Sequence, residues 1–313
     1  MVYENNSKGL SFTSGFFILI ALGFAGLFIA AMVSIPVWTI MTGTSYTNME
    51  EGMNDPANSN AVKIIQAISV LLGFLLPAFF TSYLLNRKPL RLMGFRQPVN
   101  IKQIGLVLLI MFLSLFVAGA LGYFNTRIPI PEGWRSAFDK LEDAYLKQVE
   151  IMAGLKTFGD YLIGLIIMAF LPALCEEAIF RGGLQNFLNR ATNKAWLSII
   201  IVSILFSVIH FSYYGFLSRF FLGIVLGLVF HYTGSLWLCI LGHFFNNALA
   251  ITQLYFYSLK GKNIRDAMTE EVPYYWGIAA LPLLIFLFLL LKKNSHGSGK
   301  NDIEDLNRIN RIE

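Results

Sequence analysis

Runs of about twenty apolar residues recur along this chain, and a helix of roughly 20 such residues is what crosses the ~30 Å hydrocarbon core of a bilayer. Eight stretches come near that length: 16–38, 64–85, 104–124, 161–180, 196–213, 217–232, 236–257 and 275–291. The composition agrees, with 56% hydrophobic and 14% charged residues, where a soluble domain carries roughly a quarter charged. The expected fold is therefore all-α: a polytopic transmembrane bundle of about eight spanning helices. The sixth stretch is the shortest and opens near Arg219, an arginine that would snorkel to the interface from a helix end. Its Gly223 and Gly227 supply a small-xxx-small face for close packing. The first stretch is longer than a signal-peptide core and follows a single lysine, Lys8, so it reads as a permanent span.

The net charge of +5 is spread between apolar runs instead of forming one basic face, which argues for juxtamembrane charge and against nucleic acid. Lys and Arg are retained on the cytoplasmic side. The segment after the second stretch carries Arg87, Lys88, Arg91, Arg96 and Lys102 without one acid, and the segment after the fourth carries Arg181, Arg190 and Lys194. The tail opens with Lys292 and Lys293, whereas the 39–63 connection holds Glu50, Glu51 and Asp55 against Lys63. Eight crossings then leave both termini cytoplasmic, with a bacterial cell membrane as the expected location. Cys175 and Cys239, both within apolar runs, offer no disulfide framework and no CxxC zinc spacing.

Between the third and fourth stretches, Trp134, Phe138, Leu141, Tyr145, Val149 and Met152 recur every three or four residues beside charged neighbours. That is an amphipathic helix, expected to lie at the membrane interface more readily than to act as a lid. The chain divides into a transmembrane domain, 1–291, whose helices over about 161–257 hold the residues singled out below as candidate catalytic ones, and a polar cytoplasmic tail, 292–313, that reads as disordered or weakly helical.

The chemistry sits in the fourth to seventh stretches. Between 161 and 257 the only acids are Glu176 and Glu177, beside His210, His231 and His243. Ionisable groups at membrane depth are costly and usually face a bundle interior or a water-filled cavity. Helical spacing pairs Glu177 with Arg181, four residues on, and rotates Glu176 by about 100° to another face. Glu176 is left in apolar surroundings without a cation in reach, a setting suited to a general base. The same spacing puts Phe206 and His210 on one face. It also aligns His243 with Asn247, a donor pair able to stabilise a developing oxyanion. Asn246, three residues from His243, is the neighbouring alternative.

Three strings, Glu176-Glu177-Ala178-Ile179-Phe180-Arg181, Phe206-Ser207-Val208-Ile209-His210 and His243-Phe244-Phe245-Asn246-Asn247, resemble in kind and order the EExxxR, FxxxH and HxxxN motifs of the CPBP family. That family comprises the type II CAAX prenyl endopeptidases and their bacterial relatives in bacteriocin processing and self-immunity. The resemblance implies an intramembrane endopeptidase in which Glu176 and His210 activate water, Glu177 and Arg181 brace the site, and His243 with Asn247 forms the oxyanion hole. Its partners would be the lipid bilayer and a peptide or membrane-protein substrate, lipid-modified or not. A metal-free mechanism is expected, because the HExxH helix is absent. Zinc held by Glu176, His210 and His243, with water as fourth ligand, is the alternative. A Cys239 and His243 nucleophile pair fits the spacing, but a buried packing cysteine explains Cys239 as well. A non-hydrolytic transporter or immunity protein is the competing class. Because Glu176 and His210 fall late in oppositely directed stretches, the site requires the fourth helix to continue through Leu188.

Overall fold

A computed structural model describes residues 6–269 and 272–309. Among them the regular structure is helical, with one isolated bridge between Ser7 and Asn86. The principal helices are α1 (Phe12–Thr42), α2 (Pro56–Leu85), α3 (Ile101–Asn125), α4 (Glu132–Met152), α5 (Phe158–Thr192), α6 (Ala195–Val208), α7 (Phe216–Thr233), α8 (Leu236–Leu259), α9 (Ile264–Thr269) and α10 (Tyr274–Ile309). Their starts follow local capping chemistry: Asn100 with Gln103 and Thr157 with Asp160 form reciprocal capping boxes at α3 and α5, satisfying amides that have no partner inside the helix.

Six described helices are long and apolar enough to cross a membrane: α1, α2, α3, α5, α7 and the Tyr274–Ser295 part of α10. The chain is accordingly a multi-pass membrane protein. Phe17, Phe24, Phe28 and Ile40 of α1 and Ile285, Phe286 and Leu289 of α10 are exposed, an arrangement that water penalises and lipid does not. The shared interior is built from Leu19, Ile110, Phe180, Phe187, Leu226 and Leu236 among others.

Two of the eight expected crossings fall outside those six for different reasons. α8 has 24 residues, ample length, but carries His243, Asn246 and Asn247 in its middle. The expected 196–213 stretch is interrupted: α6 has 14 residues, a length of ~21 Å at 1.5 Å per residue, short of the ~30 Å core. A helix that begins at the interface and ends after ~21 Å leaves its tip, and His210 just beyond it, within the membrane thickness. Irregular backbone at such depth is tolerated only where protein satisfies it. Asn125, buried at the end of α3, does so on both sides of the break. Its amide donates to the Tyr213 carbonyl at 2.8 Å and its oxygen accepts from Leu217 N at 3.1 Å. Ser207 Oγ donates to the Phe216 carbonyl at 2.7 Å.

The continuous helix required through Leu188 is present, since α5 runs for 35 residues to Thr192. Glu176 lies near its middle. Two wide π-helical segments, Leu165–Phe170 and Ala178–Gln185, flank Pro172. Proline has no amide hydrogen and its ring crowds the preceding turn, and a π turn is one way for a helix to absorb that without breaking. The second segment directly follows the paired glutamates, where such turns often mark functional positions.

The amphipathic α4 forms as expected, with Trp134 and Leu141 exposed, while its acidic side chains hold the 211–215 loop. Glu142 accepts from Ser212 Oγ and Asp139 from Tyr214 OH, each at 2.6 Å, and Phe138 stacks on Tyr213 at 4.6 Å between centroids. Asp143 pairs with Arg265 of the segment before α10. At the other end of the chain, α10 continues past Leu291 to Ile309, so the tail is helical over its described residues; 310–313 lie outside them.

Candidate active site

Glu177 is fully buried, and its Oε1 is the meeting point of two interactions. Arg181 Nη1 donates to it at 2.8 Å, the four-residue pair expected from spacing. His243 Nδ1, 66 residues away in sequence, stands 2.8 Å from the same oxygen. A carboxylate accepts, so Nδ1 carries the proton and Nε2 is the nitrogen left for chemistry. Nε2 lies 3.9 Å from Glu176 Oε2, an oxygen that is buried and has no hydrogen-bond partner. The two adjacent acids thus hold different positions, as expected: Glu177 bound on both sides, Glu176 aimed beside the open nitrogen of His243.

Arg181, 1% exposed, also donates from Nη2 to the Gly223 carbonyl at 3.1 Å. One helical step on, Gln185 Nε2 donates to the Gly227 carbonyl at 2.9 Å. The small-residue face of α7 therefore does two things. It lets α6 approach until a Cβ on Gly223 would lie 2.9 Å from Ser203 Cβ, and it bares two carbonyls to side chains from α5. The Gln185 contact has no signal in the motif strings.

His210 is half-buried beyond the end of α6, with Nδ1 2.7 Å from the Phe206 carbonyl. It makes no direct hydrogen bond or ion pair with Glu176; the link between the two histidines runs through Phe206. That ring, 4% exposed, meets His210 edge-on at 5.0 Å and His243 at 5.8 Å, and the Arg181 guanidinium lies over it at 4.8 Å. Phe206 is thus the common wall of the site, a role that its place in the second string does not reveal. Phe211, next to His210, has φ +50°, a left-handed conformation uncommon for a bulky residue; it turns the chain out of α6 immediately after the imidazole.

Asn247 is half-buried on α8, its Oδ1 accepting from Asn246 Nδ2 at 3.3 Å, and the Asn246 Oδ1 is buried without a partner. Neither amide bonds to His243. Arg219, near the start of α7, packs against α4. Its guanidinium lies over the Tyr145 ring at 4.8 Å, because α4 covers this end of α7, and its Nη1 is buried. Cys239 Sγ is directed at the Leu226 and Ser235 carbonyls, at 3.6 and 3.5 Å, while His243 is engaged by Glu177. The Cys239 and His243 pair that the spacing allows thus makes no hydrogen bond, and each side chain has other partners. For zinc, the Nε2 atoms of His210 and His243 and the Glu176 carboxylate are the open donors, but among the described residues no three His, Cys, Asp or Glu side chains are spaced to hold a metal ion.

No curated protein and no solved structure matches the chain. Residues 158–249 match the family model described as Rce1-like, type II CAAX prenyl endopeptidase. The matched segment begins with α5, ends within α8, and holds all six candidate residues, Glu176, Glu177, Arg181, His210, His243 and Asn247. The buried carboxylates, the two imidazoles and the paired amides thus belong to a stretch similar to the Rce1-like type II CAAX prenyl endopeptidases, consistent with the CPBP resemblance carried by its three strings.

Proposed function

We propose that this chain is an intramembrane endopeptidase that hydrolyses a peptide bond with a glutamate-activated water. The observation that carries the reading is the unequal setting of the two glutamates. Glu177 is held by Arg181 and His243, whereas Glu176 keeps a buried oxygen without a partner beside His243 Nε2.

In this mechanism a water between Glu176 and His210 gives a proton to the Glu176 carboxylate as its oxygen attacks the scissile carbonyl carbon. His210, fixed through Nδ1 by the Phe206 carbonyl, orients that water from Nε2. Catalytic contacts often tighten only around substrate. The carbonyl oxygen becomes an oxyanion that His243 and Asn247 stabilise. Because Glu177 holds Nδ1, His243 donates from Nε2 only as the imidazolium, with Glu177 as its countercharge. Collapse of the intermediate breaks the C–N bond, and the proton taken by Glu176 passes to the departing amine. Glu177 and Arg181 position His243 and α7.

No step needs a metal ion, and the spacing of the open donors favours the metal-free route. The substrate is a peptide or membrane protein reaching the site within the bilayer, prenylated or not. The reading places the enzyme in a bacterial cell membrane with eight crossings. α6 with the loop that follows it, and α8, supply the two beyond the six apolar spans, and both termini and the 292–313 tail lie on the side of the basic segments.

The test is cleavage of a membrane-tethered reporter library by purified protein, wild type against Glu176→Ala and His210→Ala. Wild-type cleavage lost in both variants is expected; equal cleavage by all three would exclude the mechanism. Activity that survives exhaustive chelation and Cys239→Ala separates this route from the zinc and cysteine alternatives. The absence of any cleavage by the wild type would favour a transporter or immunity protein.

A further inference from the structure

The hydrolytic reading leaves one half-buried cation without a task. Arg219 stands near the start of α7, and the seam between α5 and α7 fixes its level. Arg181 bonds the Gly223 carbonyl and Gln185 the Gly227 carbonyl, each pair 42 residues apart, so the two helices run in the same direction in one register. Four residues back along both, the same offset sets Arg219 level with Glu177, and Glu176 is the next residue. Positions four apart share a helix face, so Arg219 starts from the face of α7 that Gly223 and Gly227 turn to α5. Its charge reaches both Glu176 and His210, in keeping with that level.

The guanidinium bends back beside the loop that follows His210. Gly215 makes room for it, because a Cβ there would collide with Nη1. The loop itself is pinned by Ser212, whose Oγ donates to Glu142 and accepts from Gly215 N at 3.1 Å. On the α4 side the guanidinium meets the face of Tyr145 at 4.8 Å, a contact that attracts the cation but takes no proton from Nη1. That nitrogen is buried without a hydrogen-bond partner among the described residues. Such a donor is costly to bury and calls for an acceptor. Glu176 Oε2 and Glu177 Oε2 are buried acceptors that also lack partners. A free donor on α7 and free acceptors on α5, at one level, suit a group that both accepts and donates. A peptide bond is such a group. A substrate carboxylate is disfavoured as the acceptor, since the two glutamates already supply negative charge and would repel it.

We propose, resting on the hydrolytic reading above, that Arg219 is a substrate-binding residue whose Nη1 donates to a main-chain carbonyl one peptide bond from the scissile one. His243 and Asn247 keep the scissile carbonyl itself, so Arg219 holds the substrate strand in register for attack. The test is steady-state cleavage by the full-length protein in detergent, with a reporter in which the amide before or after the scissile bond is replaced in turn by a thioamide, whose sulfur is a weak acceptor. In the wild type one of the two thioamides should lower kcat/KM by about tenfold or more, the loss expected for a hydrogen bond from a charged donor. Arg219→Gln should lose a similar factor on the all-amide reporter and then be indifferent to that thioamide, while Arg219→Lys, which keeps the charge but not the fork, should retain part of the activity. Additive losses from thioamide and Arg219→Gln overturn the proposal. Tyr145→Leu removes the ring contact and should cleave as the wild type does; a loss equal to that of Arg219→Gln would make Arg219 a strut for α4 and overturn it too. Equal wild-type cleavage of all three reporters overturns it even where Arg219→Gln fails to fold. Failure of the hydrolytic reading looks different: the wild type cleaves nothing, or Glu176→Ala cleaves as well as the wild type, and both fall together. An inactive Glu176→Ala beside a fully active Arg219→Gln sinks the role of Arg219 alone.

Discussion

Replacing each of the two neighbouring glutamates by glutamine should produce opposite balances of stability and activity. Glu177 is 0% exposed and serves both Arg181 and His243 through one oxygen. In Glu177→Gln the amide keeps the shape but removes the charge, leaving Arg181, 1% exposed, as a buried cation whose remaining bond is to the Gly223 carbonyl. Breaking a buried ion pair from one side typically costs about 3–5 kcal/mol, because the desolvation of the surviving charge is no longer offset. Glu176 holds no such partner: His243 Nε2 stands 3.9 Å away, and its Oε2 already lacks a hydrogen bond. Glu176→Gln removes a poorly compensated charge and should change stability by less than about 1 kcal/mol, the range for substitutions that break no network. Both variants should lose cleavage. The assay is unfolding of the detergent-solubilised protein beside reporter cleavage on the same preparations. Glu176→Gln destabilised as much as Glu177→Gln would refute the division of roles, as would a Glu177→Gln of wild-type stability.

Other outcomes follow from the packing. Phe206→Leu keeps most of the buried volume but removes the ring that both imidazoles and Arg181 touch; cleavage should fall by more than tenfold while the melting temperature moves little, and an active variant would reduce Phe206 to filler. Gly223→Ala puts a Cβ 2.9 Å from Ser203 Cβ, so α6 and α7 must separate at a cost of about 1–3 kcal/mol, measurable by unfolding; Gly105→Ala, which meets nothing within 4 Å, is the control. Asn125→Ala leaves the Tyr213 carbonyl and Leu217 amide unpaired, about 1–3 kcal/mol for each group that stays buried, and hydrogen exchange at 209–217 should rise before that of α7.

Much of the architecture was legible because lipid imposes a simple rule on the chain: long apolar runs became the six apolar spans, and the polar interruptions fell where the chemistry is. The Glu177 and Arg181 pair was readable since four residues is one step along a helix face. The bond from Glu177 to His243 was not, because it joins α5 to α8 and no local spacing encodes it. The break in the fifth stretch was hidden for a similar reason. The 196–213 run is apolar enough to continue, but Asn125, from another helix, satisfies a break within it that hydropathy alone cannot see. The contact of Arg219 with Tyr145 was not readable, because it joins α7 to α4. Of the π turns of α5, the one over Leu165–Phe170 follows from Pro172, whereas nothing local accounts for the one over Ala178–Gln185.

The matched bonds from Arg181 to Gly223 and from Gln185 to Gly227 act like two teeth in a rack. Sliding α5 along α7 to a new register would require a jump of four residues, ~6 Å at 1.5 Å per residue, and every smaller slip leaves a buried cation facing no carbonyl. The candidate site is therefore denied fine adjustment along that seam. On the proposed reading, room for an incoming polypeptide has to be made elsewhere, and the hinge best suited to it is the loop beside His210, gripped from outside by the acids of α4.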